Sequence, residues 1–141
     1  MSKFIPYGKQ DISEEDISEV VKVLKSDFLT QGPKVPKFEQ EVAEYVDSRY
    51  AFAVNSATSA LHISCLALDV KKDDIVWTCP NTFVASANCA LYCNADIDFV
   101  DIDSKTNNIS IDCLKEKLHE AKINNRLPKV LIPVHLSGNP C

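Results

Sequence analysis

The sequence predicts an α/β fold, a mostly parallel sheet with helices on both of its faces. Three observations carry that prediction. Short apolar runs at 51–54, 74–78, 97–102 and 129–134 have strand length and are bounded by polar or turn residues, as strands of a parallel sheet are. Segments with apolar residues at helical spacing lie between them, so the chain reads strand, helix, strand, helix, strand, helix, strand, an order that implies right-handed crossovers. The segment NSATSALH, Asn55 to His62, joins the first of these strands to its helix through small hydroxyl and methyl side chains, a turn suited to seating an anion at the carboxyl edge of the sheet.

Ahead of the sheet, Ser13 starts a helix that reaches about Ser26. Glu14, Glu15 and Asp16 oppose its positive dipole end, and Ile17, Val20, Val21 and Leu24 share one face. In DFLTQGPKVPKFEQ, Gly32, Pro33 and Pro36 are expected to prevent regular structure until a second amphipathic helix at about 37–46. Residues 51–54 are expected as a buried strand. Ala60, Leu61, Ser64, Cys65 and Leu68 mark a helix over 58–68. A strand at 74–78, a loop at 79–81, an alanine-rich helix at 83–92 and a strand at 97–102 follow. Ser110 caps a helix to about Asn124 with Cys113, Leu114, Leu118 and Ala121 inward, and 129–134 form a final buried strand whose edge invites pairing.

Composition narrows the partners. Fifteen basic and twenty acidic residues give a net charge of −5 with the lysines scattered, which argues against nucleic acid or an anionic membrane. A chain of 141 residues buries about two-thirds of its unfolded surface. MSKFIPYGKQD lacks a signal-like apolar core, and no run approaches the roughly 20 apolar residues of a membrane span, so a cytoplasmic protein is expected. The six cysteines form no CxxC pair and read as core thiols; Cys89 and Cys93 share a helix face without further ligands at zinc spacing, so no metal is expected. Asp96, Asp98, Asp101 and Asp103 straddle a strand and its loop and read as capping and solvation.

The candidate site lies at the carboxyl ends of the strands. A helix opening at NSATSALH presents unpartnered N–H groups and about half a positive charge, enough to hold a phosphate without Lys or Arg. The competing reading is that Asn55, Ser56 and Thr58 only cap the helix. Pro80 to Phe83 follow the next strand, where Phe83 either stacks on a flat cofactor, worth about 0.5–1.5 kcal/mol beyond burial, or is a core phenylalanine. His135 ends the last strand at the same edge and reads as structural rather than catalytic; His62 and His119 have no evident partner.

Tyr7, DFLTQGPKVPKFE, NSATSALH, PNTFVASAN, FVDID and PVHLSG occur in the order found in the sugar aminotransferases of the DegT/DnrJ/EryC1/StrS family, which the chain resembles over essentially all its residues. FIPYGKQDI, SDFLTQGPKVP and FVASANCALYC are most similar to the transaminases of pseudaminic acid biosynthesis. The resemblance implies the N-terminal part of an aspartate-aminotransferase-like large domain, the pyridoxal 5′-phosphate (PLP) fold type I. In that division, residues 1–36 are an extended segment, helix and substrate loop, and 37–141 begin the large domain. It further implies PLP as cofactor, a homodimer with shared active sites, and transfer of an amino group from L-glutamate to a 4-keto-6-deoxy UDP-sugar. By the same resemblance Ala57 and Thr58 hold the cofactor phosphate, Phe83 stacks on the pyridine ring, and Tyr7, Asp27, Phe28, Leu29 and Thr30 line the sugar-nucleotide pocket, with Ala57 also touching substrate. On the residues alone, Tyr7 reads as a packing contact and 27–30 as an ordinary helix-ending loop.

The family's pyridinium-pairing aspartate and Schiff-base lysine lie beyond Cys141, and no lysine here has the Ser-Phe-His-x-x-Lys setting. No catalytic residue is therefore assigned, and this stretch alone is expected to be inactive. Two other readings stay open: a different family member, such as another 4-aminosugar transaminase or a PLP-dependent dehydratase, and a non-catalytic module that binds an anion or packs against a partner.

Overall fold

The computed structural model describes residues 4, 6 and 8–141. The chain divides into two compact units, Met1–Ala53 and Val54–Cys141.

The first unit contains helices α1 (Glu14–Leu24) and α2 (Lys34–Tyr45). α1 opens with the expected cap: Ser13 Oγ accepts from Asp16 N at 3.3 Å, and Asp16 Oδ2 accepts from Ser13 N at 2.8 Å. α2 starts earlier than the prolines suggest, with Pro33 at its N-cap and Pro36 inside its first turn. First-turn amides have no intrahelical acceptor, so a proline there forfeits no hydrogen bond. No residue of α1 or α2 is buried. The strand expected at 51–54 is absent, and Phe52 is 81% exposed. A strand exists only through a ladder partner, and among the described residues none pairs with this run.

The second unit runs α3 (Ala57–Ala67), β1 (Ile75–Thr78), α4 (Ala85–Tyr92), β2 (Asp96–Phe99), α5 (Ile111–Ile123), β3 (Val130–Ile132) and a 3-10 turn, Leu136–Gly138. The strands form one sheet in the order β2-β1-β3, parallel throughout, with Trp77 between Asp98 and Leu131. Side chains alternate across it. Val76 joins Cys65, Val70, Cys89, Ala90, Cys93 and Ala95 of the α3/α4 side. Its neighbour Trp77 joins Cys79, Val100, Ile109 and Ala121 on the α5 side. Helices thus cover both faces, and the expected α/β architecture is present.

Two strand expectations need correction. The strand expected at 97–102 stops at Phe99. Asp103 Oδ1 accepts from the Lys105 and Thr106 amides at 2.8 and 2.9 Å, which turns the chain back so that Ile102 bridges Ile109 antiparallel. β3 is half-buried rather than buried, with Leu131 36% exposed, because it is an outer strand of the described sheet.

Four helices, α2 to α5, close on Asp or Asn in place of glycine. Asp47, Asp69, Asn94 and Asn125 follow α2, α3, α4 and α5 at φ of 50°, 55°, 57° and 53°. In each case the next amide reaches back to the carbonyl of Ala43, Cys65, Ala90 or Ala121, at 2.8 to 3.0 Å. These are Schellman closures, in which Asn and Asp take the left-handed position usually given to glycine. Among the described residues, no helix is long and apolar enough to cross a membrane.

Candidate functional site

α3 opens where the sequence places the anion seat. Ser56 is its N-cap, extended at φ −162°, ψ 157°. Ser56 Oγ accepts from Ser59 N at 3.2 Å, and Ser59 Oγ donates to Asn55 Oδ1 at 2.7 Å. The cap therefore consumes the third amide of the helix. Among the described residues, the Ala57 and Thr58 amides have no hydrogen-bond partner. Ala57 is exposed and Thr58 half-buried. Two adjacent N–H groups at the positive end of a helix suit a phosphate oxygen, and the Ser56 cap leaves both of them open to one.

Phe83 lies between β1 and α4. It is 75% exposed, so it is not a core phenylalanine. The loop is held around it: Phe83 O accepts from Ser86 N at 3.1 Å, and the Thr82 and Ser86 hydroxyls are 2.8 Å apart. α3 and α4 pack through the edge-to-face rings of His62 and Tyr92, 5.3 Å apart, and through the Cys65 and Cys89 thiols. Burial, with Cys89 alongside, pushes the Cys65 thiol up to about 11. These thiols are inert packing groups under ordinary conditions, and His62 has the aromatic partner the sequence did not reveal.

Within the first unit, Asp27, Phe28 and Leu29 line an apolar cleft of about 350 Å³ with Gly32, Pro33 and Val35, and Thr30 does not contribute to that lining. Its shape is local. Ser26 Oγ donates to Val23 O at 2.7 Å and to Phe28 O at 3.2 Å, and Gln31 takes φ 53°. A Cβ on Gly32 would meet Phe28 O at 2.9 Å, so the loop closes only with glycine there. Tyr7 lies outside the described residues.

A cleft of about 370 Å³ on the α5 side is lined by Trp77, Asp96, Asp98, Lys117 and Arg126. Its charges already face one another: Lys117 Nζ bonds Asp98 at 2.8 Å and sits over the Trp77 ring, and Arg126 lies 3.8 Å from Asp96. The acidic run is spent on pairing and on its own turns, Asp98 capping Phe99 N and Asp101 capping Ile102 N. Among the described residues, no group of His, Cys, Asp and Glu is arranged to hold a metal. Sequence reasoning missed Asn108, a buried amide 4% exposed. The only hint was a second asparagine wedged between the turn residue Asn107 and the apolar Ile109.

A family model described as the DegT/DnrJ/EryC1/StrS aminotransferase family matches residues 10–141. A UDP-4-amino-4,6-dideoxy-N-acetyl-beta-L-altrosamine transaminase of Campylobacter jejuni is 42% identical over 119 residues, 84% of this chain and 30% of that protein. Among solved structures, the PLP form of the sugar-aminotransferase candidate Spr1654 from Streptococcus pneumoniae superposes with a TM-score of 0.84 at 31% identity, over 97% of this chain and 33% of its own. Helicobacter pylori PseC, an aminotransferase involved in the biosynthesis of pseudoaminic acid, superposes at 0.81 and 29% identity, over 99% of this chain and 36% of its own. The chain spans about a third of the length of the relatives it matches. Since the match extends from before the first helix, across the turn that opens α3, to the loop after β3, this chain belongs to the DegT/DnrJ/EryC1/StrS aminotransferase family.

Proposed function

We propose that this chain is the cofactor-phosphate and substrate-loop portion of a PLP-dependent aminotransferase. Its acceptor is a 4-keto-6-deoxy UDP-sugar of amino-sugar biosynthesis of the pseudaminic acid type, and its donor is L-glutamate. The observation that carries the reading is the pair of unclaimed amides, Ala57 and Thr58, at the start of α3. The relatives' names support the substrate class.

The residues present fit the cofactor. The Ala57 and Thr58 amides and the Thr58 hydroxyl donate to phosphate oxygens, and the small side chains of NSATSALH let the anion come close. Phe83, exposed on the loop after β1, covers one face of a flat ring and keeps water from it. Asp27, Phe28, Leu29 and Thr30, with Tyr7 and Ala57, receive the sugar nucleotide. Bound PLP supplies the carbonyl that takes up the donor's amino group and the ring that accepts electrons. The lysine that anchors the cofactor and the aspartate that pairs with its ring nitrogen belong, on this reading, to sequence beyond Cys141, so residues 1–141 bind and orient but do not turn over. The complete enzyme is a cytoplasmic homodimer.

The test is the visible absorbance of the full-length protein before and after L-glutamate. A yellow protein that bleaches supports the reading; a colourless one that gains no colour with PLP favours an anion-binding or packing module. Thr58→Glu brings a carboxylate against the phosphate and is expected to weaken PLP retention by about tenfold or more. Unchanged retention in that variant would remove the seat from α3.

A further inference from the structure

The hairpin between β2 and α5 places one side chain whose work is done elsewhere. Asn108 is held by its own backbone: its carbonyl accepts from Asp103 N at 2.9 Å, and Ser110 N donates to Asp101 O at 2.8 Å on the opposite arm. Its side chain is turned away from the hairpin. Nδ2 donates to Asn139 O at 2.9 Å and Oδ1 accepts from Leu136 N at 3.1 Å. A carbonyl faces one end of the carboxamide and an amide N–H the other, so the orientation of the group is unambiguous. β2 and β3 flank β1, so this clamp joins the segments that follow the two strands on either side of β1.

What it clamps is a strained turn. Ser137 and Gly138 both take left-handed conformations, at φ 53° and 77°. His135, at φ −80° and ψ 77°, is the centre of an inverse γ-turn closed by Leu136 N to Val134 O at 3.0 Å. The Leu136 amide that closes this turn is the one that also reaches Asn108 Oδ1. His135 Nδ1 accepts from Cys141 N at 3.0 Å. In a neutral imidazole the hydrogen then sits on Nε2, and the exposed ring offers a single donor.

We propose that Asn108 is a positioning residue: it fixes the loop after β3 so that His135 presents Nε2–H, and nothing else, to an oxygen acceptor of a ligand at the carboxyl edge of the sheet. Its place in a reaction rests on the aminotransferase reading given above; the positioning itself does not.

The experiment is ¹⁵N NMR of histidine-labelled full-length protein at a pH where imidazole is neutral, with the His135 signals assigned by loss in His135→Gln. The expected pattern is a protonated Nε2 and a bare Nδ1 in the parent protein. In Asn108→Ala the two signals move toward the averaged positions of an untethered imidazole, and the Leu136 amide exchanges about fivefold to tenfold faster, as loss of a hydrogen bond worth about 1 kcal/mol predicts. Asn108→Asp keeps the acceptor for Leu136 N and loses the donor to Asn139 O, so it restores part of the pattern; it also carries the test if the alanine variant fails to fold. A protonated Nδ1 in the parent, or an unmoved His135 in a folded Asn108 variant, overturns the proposal. A role confined to stability would lower the melting temperature and leave the imidazole signals in place. Absence of yellow colour strikes the cofactor reading and leaves these signals unaffected.

Discussion

In Val54–Cys141, Val76, Cys79 and Cys89 are closed to solvent, whereas in Met1–Ala53 no residue of α1 or α2 is buried and Leu24 is 64% exposed. Both units have well-formed helices. Ser13 and Ser110 cap α1 and α5 by the same device, and α2 and α3 end in the same Asp-led closure. The difference teaches that capping and amphipathic spacing define a helix locally, while burial needs a surface to lie on. β1 supplies that surface twice over, Val76 toward α3 and α4 and Trp77 toward α5. Among the described residues, the unit of α1 and α2 has no sheet of its own. The features within each unit differ in the same way: α3 rests on a packed scaffold, and the Asp27–Leu29 cleft keeps its shape through Ser26 and Gly32.

The sharpest way to break this contrast is to truncate one apolar residue in each unit. Trp77, 2% exposed between β2 and β3, is expected to cost about 3–5 kcal/mol when changed to alanine. Leu24→Ala is expected to stay within about 0.5 kcal/mol. Urea unfolding of the two variants measures both. A Leu24→Ala penalty near that of Trp77→Ala would mean that the α1 face is covered in solution, and the two units would no longer differ in kind.

The caps sharpen the contrast further. Ser110 Oγ accepts from Cys113 N at 3.3 Å at the head of a helix that contributes Ala121 to the core. Ser110→Ala is expected to lower global stability by about 1 kcal/mol. Ser13→Ala removes an equivalent bond from a helix with no buried residue. Its expected effect is faster amide exchange confined to the first turn of α1, with the global unfolding midpoint unmoved. Hydrogen exchange and thermal unfolding of the pair separate the outcomes, and a shared loss of midpoint would show the units to unfold together.

Much of this was legible in the chain, and for definable reasons. Ser13, Ser56 and Ser110 marked helix starts because a side-chain oxygen must meet the orphan amides of a first turn, which is a local requirement. The order of β1, α4, β2, α5 and β3 followed from apolar runs alternating with helical spacing. The two open amides of Ala57 and Thr58, on which the proposed seat rests, were legible because a cap on Ser59 N leaves them over. Residues 51–54 misled because Ala51, Phe52, Ala53 and Val54 have strand character with no described neighbour to pair with. Pro36 misled because position in the first turn, not proline itself, decides whether a helix tolerates it. Asn108 showed in the sequence only by its place between Asn107 and Ile109, because its partners, Leu136 and Asn139, lie 28 and 31 residues away. Such pairings are properties of the fold and leave no local pattern.

The smallest effect concerns charge. Glu19 accepts from Lys22 on its own helix and from Lys34 at the start of α2, both at 2.7 Å. The Lys22 hydrogen bond, then that from Lys34, holds its carboxyl down from 4.5 to about 2. A folded value below the unfolded one means that the contribution is fully present above about 4.5 and is lost as pH falls toward about 2. The carboxylate is half exposed, so solvent and salt screen it and its worth is small. In the second unit, Asp74 is held low by a hydrogen bond from Lys129 at 2.9 Å and then by the Lys71 amide, and both side chains of that pair are less exposed than those of the Glu19 pairs. Acid titration at low and high salt is therefore expected to move the α1 and α2 signals with salt while leaving the Asp74 transition nearly fixed. Glu19→Gln should abolish the salt-sensitive part alone. Equal salt dependence in both transitions would place Asp74 and Glu19 in the same solvated environment, against the difference in exposure that separates the two units.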